Sequence, residues 1–326
     1  MRLQKRDVSV AALSLTILFG MSCAKAPVQT KFATPEAAAA ALLQAFKNND
    51  TAKIEGMFGR EVIRDLASGD PASDRRDREL IGLAMGQSWK WVPVNAQTSE
   101  LIIGDDQWPF PAPLVKTGTE WQFDGNAAKG EILARRIGRN ELDVIGLCHA
   151  LVSMQREYAR QSHDGKPAGL FAQRLRSSPG RQDGLYWPRI PGKMRSPLGD
   201  LVAQAAAEGY DENKQTSAPF WGYQFRVLTA QGDAAPGGRR SYIDKGDMSG
   251  GFAILAFPAK YATSGVMTFA VNQNNVVYEK DLGSQTATLA LRITEYNPDE
   301  SWYEVQLPES DVPLRTAPLR SGTGGK

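Results

Sequence analysis

Residues 131–160, EILARRIGRNELDVIGLCHALVSMQREYAR, decide the fold. Val144, Cys148 and Leu151 recur at helical spacing, and Tyr158 extends the stripe. Ile145, Leu147, Val152 and Met154 widen it beyond the face of a surface helix. A helix over residues 141–160 would be ~30 Å long, the width of a small domain. Apolar over so much of its girth, it must be wrapped by other elements. Asn140 reads as its N-cap, with Asp143 three residues on as a shortened capping box. Gly138 reads as a break between this helix and a short one that starts near Lys129. Gln155 reads as outward-facing. Cys148 reads as a small core hydrophobe with no neighbour to activate its thiol. Arg135, Arg136 and Arg139 crowd the junction beside Glu141. They fit either an anion site at a helix N-terminus or an ion-pair cluster between domains.

Toward the N-terminus the pattern is helices first, then strands. Residues 26–32 read as a short tether. Thr34 caps a helix that Pro35 opens, and Leu42, Leu43 and Phe46 give it an apolar face. A second, shorter helix carries Ile54, Met57 and Phe58. A third runs over residues 74–85, after a turn-rich break at 68–73. Then the period changes. Residues 89–94 and 99–103 read as strands, Trp108-Pro109-Phe110-Pro111 is extended, and 114–116 and 120–123 flank Thr117-Gly118-Thr119 as a hairpin. This α+β order is similar to the cone-shaped fold of nuclear-transport-factor-2-like domains. Trp89, Trp91 and Trp121 would line its interior or fill it.

Toward the C-terminus comes a loop-rich region, 161–197, punctuated by Ser178-Pro179-Gly180 and Pro191-Gly192. A short helix over 197–209 follows. Strands are expected at 223–228, 251–257, 266–271 and 276–280, with 251–257 central because it is apolar on both faces. A closing helix is expected over 284–296 and a disordered tail from Arg315. The predicted architecture is therefore α+β in two domains. One is an N-terminal helices-then-sheet domain, 32–136. The other, 137–305, is a long helix packed on a four-stranded antiparallel sheet, between a leader at 1–26 and a tail at 306–326.

Residues 1–7 form a basic n-region, and the apolar run 8–21 is short for a membrane span. Two exits follow. Ser22-Cys23 resembles the end of a lipobox, which would lipidate Cys23, and Ala24 after it would direct the product to the outer membrane. Alternatively, Ala24-Lys25-Ala26 is a small-x-small cleavage site. Both lead to export. The formal charge of +2 vanishes once Arg2, Lys5, Arg6 and Asp7 are set aside with the leader, so no basic stripe for nucleic acid exists. Cys148 alone remains beyond the leader, which excludes an intramolecular disulfide.

The chain carries no zinc-ligand spacing, nucleophile elbow, phosphate loop or dinucleotide fingerprint. No catalytic residue, metal ligand or cofactor is assigned. His163-Asp164 lies in a loop, where such a pair is usually solvated. Tyr186, Trp187, Trp221 and Tyr223 have two readings: a recognition surface, or a loop anchored on the sheet by Trp187.

Several stretches carry a family resemblance. They include Phe32-Ala33-Thr34-Pro35-Glu36, Trp108-Pro109-Phe110-Pro111, Ala134-Arg135-Arg136-Ile137-Gly138-Arg139-Asn140-Glu141, Asp183-Gly184-Leu185-Tyr186-Trp187-Pro188 and Val277-Tyr278-Glu279-Lys280-Asp281-Leu282-Gly283. Together they resemble the bacterial family catalogued as domain of unknown function 2950, in matching order from about Phe32 to Trp302. The resemblance implies an exported bacterial protein and no particular activity. The second half is also similar to the globular part of type IV pilin-like proteins, although its leader lacks the prepilin pattern. The expected function is that of an exported, non-catalytic envelope protein. It would bind a protein or cell-wall partner and touch the membrane through a lipid anchor at most. Alternatives are hydrolysis of an envelope polymer by scattered carboxylates, or small-molecule binding in the N-terminal domain.

Overall fold

A computed structural model describes residues 29–189, 191–192, 194–207 and 219–306. The leader with Cys23, Gly209 and the tail from Arg315 lie outside the described residues.

Helix α1 (Pro35–Lys47) begins as the sequence requires, with Thr34 accepting a hydrogen bond from the Ala37 amide at 3.2 Å. The expected second helix is a pair, α2 (Thr51–Phe58) and α3 (Arg60–Leu66), because Gly59 turns the chain at φ +97°. Asp70 caps α4 (Pro71–Gln87), which is longer than its apolar residues alone suggest. Strands β1 (Trp89–Asn95), β2 (Thr98–Ile103), β3 (Trp108–Pro109), β4 (Leu114–Thr117) and β5 (Glu120–Phe123) form one antiparallel sheet of order β1-β2-β4-β5, with β3 on β2. Phe32, Phe46, Phe58, Phe110 and Phe123 fill the space between helices and sheet. The segment expected as a tether is docked from its first described residues: Thr30 donates to Gly56 O at 2.8 Å, and Phe32 pairs with Trp121 in both directions.

Helix α5 (Gly125–Ala159) is a single helix of 35 residues. The expected break at Gly138 does not occur. The N-cap is Asp124, which accepts from the Ala127 amide at 2.9 Å, and Asn140 and Asp143 lie buried in mid-helix. A helical glycine costs about 1 kcal/mol relative to alanine. Here tertiary contacts on both sides of Gly138 hold the helix through it. Arg136 and Arg139 pair with α4, and Asn140 donates to Ser264 O at 2.9 Å. The boundary expected between residues 136 and 137 therefore falls inside continuous helix.

Beyond α5 lie β6 (Arg174–Arg176) and β7 (Gly184–Tyr186), a parallel pair, and helix α6 (Gly199–Ala207). Strand β8 (Tyr223–Leu228) is followed by two short ladders. One pairs β9 (Ala230–Gln231) with β10 (Arg240–Ser241), the other β11 (Ile243–Asp244) with β12 (Asp247–Met248). Then come β13 (Ala253–Pro258), β14 (Met267–Asn272), β15 (Val277–Asp281), helix α7 (Thr286–Arg292) and β16 (Tyr303–Glu304). The main sheet runs β16-β15-β14-β13-β8, antiparallel throughout. It has five strands rather than the expected four, because Tyr303 and Glu304 extend the β15 edge. The closing helix is shorter than expected, a turn at Gly283–Gln285 followed by α7. Every residue of β13 is buried, as its two-sided apolar pattern demands, with α5 and α7 both packing on it.

Gln155 does not face solvent. It is fully buried, donating to Ala172 O at 2.8 Å and accepting from Ala172 N at 2.9 Å. A polar residue on a buried face is tolerated because both ends of its amide are satisfied. The described residues thus form an α+β fold with two hydrophobic clusters, one under the N-terminal sheet and one between α5 and the five-stranded sheet.

Candidate functional site

Two tight turns build a cleft beside the end of α5. In the first, Asp164 (φ +51°) and Gly165 (φ +77°) turn the chain so that His163 and Lys166 exchange backbone hydrogen bonds of 3.3 and 2.9 Å. Two consecutive positive φ values are the signature of a type I′ hairpin turn, for which Asp-Gly is a favoured pair. In the second, Lys245 (φ +49°) and Gly246 (φ +87°) join β11 to β12 in the same way. The turns are fastened to each other and to the loop after α5. Lys166 Nζ bonds Asp247, Gln173 donates to Gly246 O at 2.7 Å, and Phe171 N–H donates to Met248 O at 2.8 Å. The cleft between them has a volume of about 210 Å³.

The first turn sends His163 inward. Its ring stacks on Tyr158 at 3.9 Å and 13°, and meets the edge of Trp187 at 5.5 Å. Nε2 lies 2.9 Å from the Tyr158 carbonyl, so this nitrogen carries a proton. His163 is 6% exposed, which corrects the expectation of a solvated loop histidine. Stacking supplies the burial, the Tyr158 carbonyl accepts from Nε2, and the Gln182 side chain lies 3.4 Å from Nδ1. Tyr158 in turn donates to Gln182 O. Burial, reinforced by Asp164, Asp183 and Asp247, pushes the Tyr158 phenol up to about 12.

The cleft is lined with both signs of charge. Asp164 accepts from the Gln182 amide at 2.8 Å, and Asp183 accepts from the Ser178 amide at 2.7 Å and the Ser178 hydroxyl at 2.9 Å. Burial alone would raise the Asp183 carboxyl, but the two Ser178 donors and nearby Arg174 leave it below the usual range. Of the guanidiniums, Arg174 donates to the Ser178 hydroxyl at 2.9 Å, whereas Arg181 is held by longer ion pairs alone. Arg181 stands 3.7 Å from Asp164 and 4.0 Å from Asp183, and Arg174 stands 3.9 Å from Asp183. These separations exceed those of charge-assisted hydrogen bonds, roughly 2.7–2.9 Å.

The four aromatics singled out in the sequence are not a surface. Tyr186 and Trp187 are 8% and 5% exposed, and Trp221 and Tyr223 are fully buried. Rings that solvent does not reach offer a partner no contact area. Trp187 belongs to the larger core, with Nε1 donating to Met194 O at 3.2 Å, and so anchors the loop. Tyr223 lies so close to Gly265 that a Cβ there would come within 2.0 Å of the phenol oxygen. The arginines at mid-α5 form ion pairs. Arg136 reaches Asp74 at 3.4 Å and Asp77 at 3.9 Å, Arg139 reaches Asp77 at 2.8 Å, and Arg136 also bonds Leu66 O. The anion-site reading required a helix N-terminus there, and the helix begins fifteen residues earlier than Asn140, at Gly125. Cys148 is buried, which pushes its thiol up to about 12 and suppresses the thiolate.

Elsewhere, Glu141 accepts from the Val266 and Met267 amides at 2.8 and 3.0 Å. Burial and the Glu141 charge together raise the Glu279 carboxyl. In the N-terminal half, Trp91 and Trp121 pack against the phenylalanine cluster and Trp89 is partly exposed. Among the described residues, no group of three or more His, Cys, Asp or Glu side chains is placed to hold a metal ion. Nor is any helix among them long and apolar enough to cross a membrane.

Fold and cleft together define an α+β protein with a polar, charge-balanced recess. The family model described as protein of unknown function (DUF2950) matches residues 29–305, and the chain belongs to that family. No curated protein and no solved structure matches it.

Proposed function

We propose that this protein is exported to the bacterial cell envelope and acts there by binding, holding an envelope protein or cell-wall component at the cleft between the two hairpin turns. The observation that carries the reading is the fixed geometry of the cleft carboxylates. Asp164 and Asp183 are each held by a backbone amide, and Asp247 is held by Lys166. Side chains locked before a partner arrives lose little entropy on binding. Tyr158, neutral at physiological pH and tied to a carbonyl, suits a structural donor better than an acid or base. Export rests on the leader, with a lipid anchor at Cys23 or cleavage after Ala26, and a place in the periplasm or at the outer membrane.

The test has two parts. Cells expressing the intact gene are fractionated and labelled with palmitate. Label lost on Cys23→Ser supports the anchor, unlabelled periplasmic protein supports the cut after Ala26, and full-length cytoplasmic protein overturns export. Mature protein and Arg181→Gln are then used to capture partners from envelope extracts. A partner retained by the first and lost by the second supports the cleft, whereas equal capture by both removes it from the function.

A second reading, hydrolysis of an envelope polymer, draws on Glu141 and Glu279, two carboxylates near enough for one to raise the other. Release of soluble fragments from purified cell wall, abolished by Glu279→Gln, would favour it over binding.

A further inference from the structure

We propose that the cleft takes a small dipolar ligand, a free amino acid or a dipeptide with both ends charged, its carboxylate on Arg181 and its ammonium on Asp164 and Asp183. The proposal rests on the reading that the cleft is the binding site, and it puts a small dipolar molecule there in place of an envelope protein or cell-wall component. Asp164, Asp183 and Asp247 line the cleft together with Lys166, Arg174 and Arg181, so the charges of its walls sum to zero. A ligand with one net charge would leave that balance broken in a recess partly shielded from water, whereas a dipolar one preserves it. Arg181 is also held differently from the carboxylates. The carboxylates are anchored by backbone amides and a hydroxyl, while Arg181 stands 3.7–4.0 Å from its partners. A ligand carboxylate placed against Arg181 would gain the short, paired hydrogen bonds that the resting site lacks.

Size and shape narrow the class. The volume of about 210 Å³ is below the roughly 300–1,000 Å³ typical of sites for drug-sized ligands. Leu170 and Phe171, both half-buried, give the cleft an apolar wall suited to a short aliphatic side chain.

The intact mature protein is titrated with alanyl-alanine by calorimetry, alongside the N-acetylated dipeptide, the dipeptide amide and an N-acetylglucosamine oligomer. Saturable binding of alanyl-alanine is expected. Blocking either end should weaken it at least ~10-fold, the loss of about 1.4 kcal/mol. Arg181→Gln should weaken it similarly while melting like the parent, since the Arg181 side chain is 56% exposed. Equal binding of free and blocked dipeptides overturns the proposal. Binding of the sugar oligomer alone, abolished by Arg181→Gln, overturns the ligand class and leaves the cleft as the binding site. Heat from no probe also overturns the ligand class, and the capture experiment with Arg181→Gln then decides separately whether the cleft binds anything.

Discussion

The two halves of α5 are one helix attached in two ways. From Gly125 to Arg139 its buried residues are Gly125, Ala128 and Arg136, and its grip on α4 is electrostatic, through Arg136 and Arg139 to Asp74 and Asp77. From Asn140 onward it buries Val144, Ile145, Leu147, Cys148, Leu151 and Val152 against the five-stranded sheet and its surroundings. Apolar packing is non-directional and scales with area, whereas ion pairs must recover the desolvation of both charges before they contribute. A helix can therefore be continuous in geometry while its stability is unevenly distributed along its length.

The sharpest way to break this comparison is Leu151→Asp. Leu151 is 2% exposed, and a carboxylate buried there should cost more than about 4 kcal/mol, enough to abolish cooperative melting by circular dichroism. A parent-like melt would mean that the second half is not the anchored one. Arg136→Met probes the first half. Removing the guanidinium leaves Asp74 and Asp77 with a buried partner missing, and a loss of about 3 kcal/mol in urea unfolding is expected. An unchanged midpoint would show that solvent already screens these pairs. Gln155→Leu tests the polar stitch within the apolar half. It strands both the N–H and the C=O of Ala172, at a cost of about 2 kcal/mol or more. If that substitution proved neutral, water would have to reach Ala172. The smallest effect is expected at Gly138→Ala, where nothing lies within 4 Å of the added methyl. In a continuous helix this should stabilise by roughly 0.5–1 kcal/mol, and a destabilised variant would restore the broken helix that the sequence suggests.

Much of the fold is readable from the sequence because local chemistry and periodicity agree. Thr34-Pro35 starts α1, Thr117-Gly118-Thr119 turns the β4–β5 hairpin, and the two-sided apolar run at Ala253–Pro258 becomes the most buried strand. The errors arise where tertiary contacts override a local signal. Gly138 and Asn140 look like punctuation, yet α4 and Ser264 hold the helix straight through them. Asp124, the true cap, follows directly on a strand and precedes Gly-Asn, which reads as a turn. Gln155 looks solvent-facing because its partner, Ala172, belongs to a loop with no periodic pattern of its own. The cleft is least legible. Its residues come from the end of α5, from the loop after it and from a hairpin far along the chain, and nothing in the sequence pairs Lys166 with Asp247. The Asp164-Gly165 turn is the one available signal, and a turn by itself does not reveal which way His163 points.

The unbroken α5 also has a temporal consequence. The ribosome makes the helix first and the strands that cover its apolar stripe last, since β13 to β15 follow a long stretch of loops and short ladders. At roughly 5–20 residues per second the delay amounts to several seconds. During that time Val144, Cys148 and Leu151 have no sheet to meet, although the N-terminal cluster already has every residue it needs. A chain that folds in the order it emerges, whether from the ribosome or across the membrane, thus passes through a stage in which the N-terminal unit carries an uncovered apolar rod. That intermediate is the form a chaperone would encounter, and it lasts longer the farther β13 lies from α5 along the chain.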